Sequence, residues 1–112
     1  MSHHYKRYSL NQLQEEENDL KERLAEAENL DQRNYIAVYK RKIEIVQSYM
    51  LDQDQFHAGD IREYKENPNY LFEIDEMSGV IAWGYRIDKQ THERIDKGKP
   101  VAKLLILLGE KI

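Results

Sequence analysis

Residues 70–87 read YLFEIDEMSGVIAWGYRI, and their apolar side chains recur at every second position in two runs. A period of two is typical of a β-strand, whose successive side chains point to opposite faces of the sheet. The stretch therefore predicts two strands, over residues 70–76 and 80–87. The three residues between them end in Gly79, which can take the positive φ that a tight connection requires.

The sequence around this hairpin completes a β-rich half. We predict a strand over residues 61–65 and a last apolar segment over residues 101–108, which is a central strand or, alternatively, a buried helical turn. Gly84, inside the clearest strand, indicates a bulge or a sharp coil. A polar loop over residues 88–100 separates the hairpin from the last segment. Four or five short strands with one glycine kink predict a small, strongly bent barrel.

The first half of the chain has a different apolar period. Up to about residue 50 the apolar side chains recur every three or four positions, which is typical of amphipathic helices. Ser9 followed by Gln12 has the S-x-x-Q form of a capping box and predicts the start of the first helix. Residues 34–51 predict a second helix with two adjoining apolar rows. These rows are Ile36, Tyr39, Ile43, Val46 and Met50, and Tyr35, Val38, Ile45 and Tyr49.

A helix with so wide an apolar stripe needs two neighbours. The first helix, packed antiparallel, is one of them, and the β-rich half or a second copy of the chain is the other. We therefore predict an α+β fold in which a helical hairpin (residues 1–55) packs on a small β-barrel (residues 56–112), with a shared core. The basic run at residues 40–42 is expected opposite Asp19 and Glu22, either as complementary surface pairs or as a docking spot for a partner.

Composition and charge narrow the functional classes. The chain has 112 residues, a formal charge of −4 and no cysteine. This size indicates one domain or two very small modules, the negative charge argues against a general polyanion binder, and cysteine chemistry is excluded. The N-terminal residues lack an apolar signal-peptide core, and the longest apolar run is far shorter than the roughly 18 residues of a membrane span. We expect a cytoplasmic protein without membrane contact.

Motifs for catalysis or ligand binding are not found in the sequence. The four histidines lack the spacing of a zinc-binding helix. The few serines have capping, turn or surface explanations, and neither a nucleophile elbow nor a glycine-rich phosphate loop is present. We therefore expect no enzyme activity, no metal site and no cofactor.

Aromatic and basic side chains of the β-rich half are the strongest binding candidates. Core packing accounts for most of the rings, because one face of each strand lines a core. The alternative is an exposed aromatic groove, which small barrels use to bind peptides or stacked bases, beside the basic residues of a soluble loop. The sequence leaves open whether Trp83 lies in the core or on the surface. The candidate binding residues are Tyr64, Trp83, Tyr85, Arg86, Lys97 and Lys99.

Residues 79–86, GVIAWGYR, resemble a stretch of the YfhH-like proteins of Bacillus and related Gram-positive bacteria. Three further stretches agree with that family: residues 6–9 before the first helix, residues 42–51 at the end of the second, and F-x-x-G-D at residues 56–60. The resemblance extends over nearly the whole chain. It implies a helical hairpin followed by an SH3-like barrel, and it implies no activity because the family is uncharacterised.

Two functions are consistent with these features. The first is a non-enzymatic protein-interaction module that docks another protein or a second copy of itself, through the aromatic surface or the free flank of the hairpin. The alternative is a nucleic-acid-associated accessory protein that binds through Trp83, Tyr85, Arg86 and residues 97–103. Surface charge distinguishes them. A coherent basic face around Arg86 favours nucleic acid, and interleaved acidic residues favour a protein partner.

Overall fold

The computed structural model describes residues 4–112, which form two compact units that divide between Leu51 and Asp52. The first unit is a pair of α-helices and the second is an antiparallel sheet of five strands. The α+β class predicted from the change of apolar period is therefore confirmed. Within residues 4–112 there is no helix that is long and apolar enough to cross a membrane.

Helix α1 runs from Leu10 to Asn29 and begins at the predicted capping box. The Ser9 N–H donates to Oε1 of Gln12 at 2.8 Å, and the Gln12 N–H donates to Oγ of Ser9 at 3.2 Å. These two bonds satisfy amide groups that have no acceptor within the first helical turn. The capping prediction is confirmed in both of its hydrogen bonds.

Helix α2, Arg33–Met50, packs on α1 through the first of its two predicted apolar rows. Leu13 and Leu20 of α1 form a buried cluster with Ile43 and Val46 of α2, and Tyr5 completes it. Apolar burial of this kind supplies most of the stability of a helical hairpin, because helices of this length are marginal alone.

The second apolar row of α2 is divided between two environments. Its C-terminal members, Ile45 and Tyr49, are half-buried against the hairpin cluster. Its N-terminal members, Tyr35 and Val38, are 56% and 47% exposed. Within one chain, the N-terminal half of this row is therefore left exposed, so the predicted neighbour there is not supplied by the chain itself.

The second unit is one sheet in which every neighbouring pair of strands is antiparallel. Its spatial order is β4-β3-β2-β1-β5, so β4 and β5 are the edges and the sheet is not closed into a barrel. The first three strands follow the sequence prediction to within about two residues at each end. The strands are β1 Ile61–Tyr64, β2 Tyr70–Ser78, β3 Ile81–Asp88, β4 Val101–Leu104 and β5 Leu108–Lys111.

The last apolar segment differs most from its prediction. Residues 101–108 are neither one strand nor one helical turn. They contain β4, a 3-10 turn over Leu105–Leu107 and the first residue of β5. Leu104, Leu105 and Leu108 are all buried, which explains the uninterrupted apolar sequence. The segment passes through the core while it changes from one edge of the sheet to the other.

Gly84 lies where the backbone of β2 leaves no space for a side chain on β3. It is paired with Ile74, and the register shifts between Ile74 and Glu76, so that the bulged residue Asp75 belongs to β2. A Cβ atom on Gly84 would lie 1.9 Å from the carbonyl oxygen of Glu73. The prediction of a bulge at Gly84 is therefore correct in place, although the extra residue belongs to the partner strand.

Replacing Gly84 by alanine is expected to destabilise the sheet unit by about 3 kcal/mol, because backbone rather than a flexible side chain must move to admit the methyl group. Urea unfolding followed by circular dichroism measures the loss. Ser78→Ala, an exposed change in β2, is the matched control and should stay within about 0.5 kcal/mol of wild type. If Gly84→Ala lowers the free energy of unfolding no more than the control does, the backbone of β2 does not exclude a side chain at position 84.

Arg62 in β1 holds the segment before the sheet against its last strand. Its Nη1 donates to the carbonyl oxygen of Gly109 at 3.1 Å, and its Nη2 donates to the carbonyl of Gln55. The guanidinium carbon lies 3.9 Å from the centre of the Phe56 ring. A buried cation is tolerated only when it is hydrogen-bonded and paired, so the site also requires a counter-charge.

Asp60 supplies that counter-charge. Its carboxylate accepts the His57 N–H at 3.0 Å and lies 3.3 Å from Nζ of Lys111 and 3.7 Å from Nη2 of Arg62. Burial alone would raise the pKa of Asp60. The hydrogen bond from His57 and the charges of Lys111 and Arg62 outweigh burial and hold that pKa below its ordinary value of 3.8. The ionised form therefore contributes to folding at neutral pH.

Asp60→Asn is expected to lower the free energy of unfolding by about 2 kcal/mol at neutral pH, because it leaves Arg62 without its counter-charge. Since the folded pKa is depressed, the wild-type advantage is present above the unfolded value near 3.8 and disappears as pH falls through the folded pKa. Urea unfolding at a series of pH values tests this, with Asp75→Asn as the exposed control. A difference that does not shrink at acid pH would exclude the electrostatic role.

Candidate interaction surface on the β-sheet

Trp83, in the middle of β3, is the most exposed aromatic side chain of the described sheet unit, at 39% of its surface. Its strand neighbours Ala82 and Gly84 are buried, so successive side chains alternate between core and surface as they must in a strand. The register places Trp83 opposite Glu76 of β2 and Ala102 of β4. Since the side chain of Ala102 is a single methyl group, it covers little of the ring.

Tyr85 follows Trp83 on the same face and is half-buried beneath an arginine. The guanidinium carbon of Arg94 lies 3.9 Å from the centre of the Tyr85 ring, which is a cation–π contact. Nη2 of Arg94 donates to Glu73 at 2.8 Å, and Glu73 is paired with Tyr85 in the ladder. Arg94 is therefore neutralised by a carboxylate and shields the ring next to Trp83.

Arg86 points to the opposite face and is bound to the loop that follows β3. Its Nη2 donates to Oδ1 of Asp96 at 2.7 Å and its Nε to Oδ2 at 3.0 Å, while its backbone N–H donates to the same Oδ2 at 2.9 Å. Asp96 raises the pKa of Arg86, and Arg86 lowers the pKa of Asp96. This fork-like pairing uses the donors that would otherwise be available for a phosphate.

The same pairing anchors the loop of residues 89–100. The Ile95 N–H donates to the carbonyl of Arg86 at 2.7 Å, and Ile87 forms an isolated bridge with Arg94. In the described structure this bridge is the one sheet-like pairing of residues 89–100. Lys97 and Lys99 lie beyond the anchor. Both are exposed and, within residues 4–112, neither has a carboxylate within 4 Å.

Tyr64 is not part of the Trp83 surface. It is 5% exposed, and its ring stacks on Phe72 with 6.1 Å between the centroids. Its hydroxyl lies 3.0 Å from Glu66, which also binds Nζ of Lys103 at 3.1 Å. The edge of Tyr64 lines a shallow depression of about 280 Å³ beside Tyr70. Tyr64 is therefore a core residue, as the sequence predicts for most of the aromatic side chains.

Apart from Tyr64, which lies in the core, the predicted site residues thus fall into three groups. Trp83 and Tyr85 share an outer face, Arg86 is fixed to Asp96, and Lys97 and Lys99 lie on the loop. Three further residues, Arg94, Glu73 and Ala102, shape the surroundings of Trp83 but are not among the predicted site residues. Only the strand alternation could have indicated Glu73, because the other two are placed by a loop and by an edge strand.

Candidate metal ligands do not converge in the part of the chain that the structure describes: no three His, Asp or Glu side chains in residues 4–112 are arranged to hold an ion.

Fold and surface together define a small α+β protein in which a helical hairpin precedes an open five-stranded antiparallel sheet with one exposed tryptophan. Residues 3–105 match the family model described as a protein of unknown function, DUF1811. The chain is 31% identical over 93 residues to the uncharacterized protein YfhH of Bacillus subtilis (strain 168), which covers 83% of this chain and 88% of that protein. The chain belongs to this family, and the resemblance noted in the sequence is confirmed.

Trp83→Ala is expected to cost about 1 kcal/mol of unfolding free energy, because much of the ring is already in contact with water. Phe72→Ala, which removes a fully buried ring from the same sheet, should cost about 3–5 kcal/mol. Urea unfolding of the two variants gives the comparison. Equal losses would place Trp83 in the core and overturn the surface assignment.

Proposed function

We propose that this protein is a non-enzymatic protein-interaction module that binds its partner through the outer face of β3 around Trp83. The exposed indole carries the proposal. Tryptophan is strongly enriched among the residues that contribute most to protein interfaces, because it buries a large rigid surface at a low entropic cost. Trp83 projects from the middle of a strand that is paired on both sides, so its position is fixed before a partner arrives.

The face of the sheet is better suited to binding than its edge. β4 has only four residues, and its Lys103 turns inward, with Nζ 5.5 Å from the centre of the Tyr64 ring. Short edge strands and inward charges are features by which proteins prevent another strand from pairing with them. A partner that presents an apolar side chain to Trp83 and Ala102 is therefore favoured over one that adds a strand.

The SH3-like barrel is part of the same proposal. Four strand spacings separate β4 from β5, which is about 19 Å in a flat sheet. The link from Leu104 to Leu108 can span at most about 14 Å. The sheet must therefore curl strongly, and the glycine at position 84 allows it to do so. This supports a partly open barrel of SH3-like topology, with β3 on its outer wall.

Charge distribution favours a protein partner over nucleic acid. Arg86, Arg94 and Lys103 are each paired with a carboxylate, which is the interleaved pattern expected for a protein-binding surface. Lys97 and Lys99 keep nucleic acid as a second candidate, since both are exposed and form no ion pair with any described residue. A cytoplasmic location, like the absence of enzyme activity, stays a prediction from the sequence.

Site-specific crosslinking tests the proposal. Glu76, opposite Trp83, is replaced by the photoreactive residue benzoylphenylalanine, and Lys97 is replaced in a control protein. Irradiation in bacterial cells should crosslink a defined protein at position 76 but not at position 97. The purified partner should then bind wild type at least roughly thirtyfold more tightly than Trp83→Ala.

Two results would contradict the proposal: crosslinks that persist unchanged in the Trp83→Ala background, and equal affinity of the purified partner for both proteins. Fluorescence anisotropy with short single-stranded DNA and RNA addresses the second candidate. Binding at about 50 mM salt that weakens with added salt, and that is lost on Lys97→Glu and Lys99→Glu, would favour nucleic acid instead.

A further inference from the structure

The two helices of the hairpin carry opposite charges. Helix α1 contains seven acidic and two basic residues, whereas α2 contains four basic residues and one acidic residue. On α1, Glu15, Glu22 and Glu26 are spaced seven and four residues apart and are all exposed, so they form one acidic stripe along a single face. The hairpin therefore has one acidic helix, α1, and one basic helix, α2.

In the described residues these opposite charges do not pair between the two helices. The ion pairs of α1 are internal, Lys21 with Glu17 at 3.6 Å and Arg23 with Asp19 at 3.0 Å. Within residues 4–112, no ion pair joins α1 to α2. The sequence-based expectation that residues 40–42 pair with Asp19 and Glu22 is therefore not met, and the acidic stripe and Lys42 are left without counter-charges.

An apolar patch lies beside two basic residues of α2. Arg41 pairs with Glu44 of its own helix at 3.5 Å, and Lys42 has no carboxylate within 4 Å in the described residues 4–112. Leu30, Tyr35 and Val38 are 60%, 56% and 47% exposed, although three such side chains within nine residues are unusual on a free surface. Tyr35, Val38 and Lys42 are spaced three and four residues apart, so they form one row on α2 with Arg41 beside it. Spacing of this kind is that of a row which packs against another helix.

We infer that a second copy of this chain covers the patch, so that the row Tyr35–Val38–Lys42 of each α2 packs on the acidic stripe of the partner's α1. Charge complementarity selects this occupant, because Arg41 and Lys42 beside the patch attract an acidic helix. The α1 helix of a second copy presents one, since Glu15, Glu22 and Glu26 form no ion pair within residues 4–112. A two-fold axis repeats the contact, so each copy contributes one basic and one acidic helix. The inference does not depend on the Trp83 surface, which belongs to the other unit.

Sedimentation equilibrium tests the assembly with the full chain. At high protein concentration and low salt the mass should approach twice the 13.4 kDa of one chain. Raising the salt concentration should weaken association by roughly tenfold, as expected when a few exposed ion pairs are screened. Tyr35→Ala combined with Val38→Ser should also weaken it, whereas Trp83→Ala should leave it unchanged.

Reciprocal charge exchange makes the test specific to the two faces. One variant carries Glu22→Lys and Glu26→Lys, and the other carries Arg41→Glu and Lys42→Glu. Each alone should be monomeric, because residues 22, 26, 41 and 42 then all carry charge of the same sign. An equimolar mixture should restore the dimer, since each variant supplies the charge that the other lacks. Lys97→Glu with Lys99→Glu is the matched control and should still dimerise.

Circular dichroism establishes that each variant retains its helices. A wild-type chain that stays monomeric at low salt overturns the inference, as do charge variants that still dimerise alone or a mixture that stays monomeric. Loss of the dimer on Trp83→Ala would assign self-association to the sheet. Failure of the crosslinking at position 76, in contrast, affects only the proposed function.

Discussion

The contact between Gly84 and the carbonyl of Glu73 is the constraint on which the sheet depends. The carbonyl oxygen occupies the place that the Cβ atom of any larger residue would take, so β2 and β3 can pair in this way only with glycine at position 84. The bulge at Asp75 lies directly beside this contact and sets the register of the rest of the hairpin. With that register, Ala82 faces the core and Trp83 faces outward, so the exposed tryptophan is a consequence of backbone packing.

Ion pairs around the Trp83 surface neutralise its basic side chains. Arg86 and Arg94 are pinned by Asp96 and Glu73, and both pairs join the loop after β3 to the sheet. Because each cation is neutralised locally, the loop contributes shape and rigidity beside Tyr85. The hairpin differs in this respect, since its acidic and basic residues are separated on two helices. The two units therefore present surfaces of different character, one aromatic and one strongly charged.

Local signals in the sequence were sufficient for most of the secondary structure. The pair Ser9 and Gln12 specifies a helix start through two short-range hydrogen bonds, and the alternation in residues 70–87 specifies two strands. Residues 101–108 were harder, because an apolar run carries no period that separates a strand from a buried 3-10 turn. The exposure of Tyr35 and Val38 could not be predicted either, because a wide apolar stripe on a helix does not identify the element that packs on it.

Long-range contacts account for the rest of what the sequence could not show. In β3, alternation places Ile81, Trp83 and Tyr85 on one face and Ala82 and Gly84 on the other. Alternation does not show which of the two faces the rest of the sheet unit covers. Tyr64 was a binding candidate because it is aromatic, yet stacking on Phe72 makes it a core residue. Similarly, Arg86 pairs with Asp96, which lies ten positions later in the loop. The sequence does not predict this ion pair.

Iodide quenching of the sole tryptophan tests the central claim, that β3 presents Trp83 to solvent, most directly. In the folded protein the indole emission should be quenched by iodide to a large part of the extent seen in the urea-unfolded chain. Emission that iodide reaches only after unfolding would contradict the account, because it would place the ring inside the molecule.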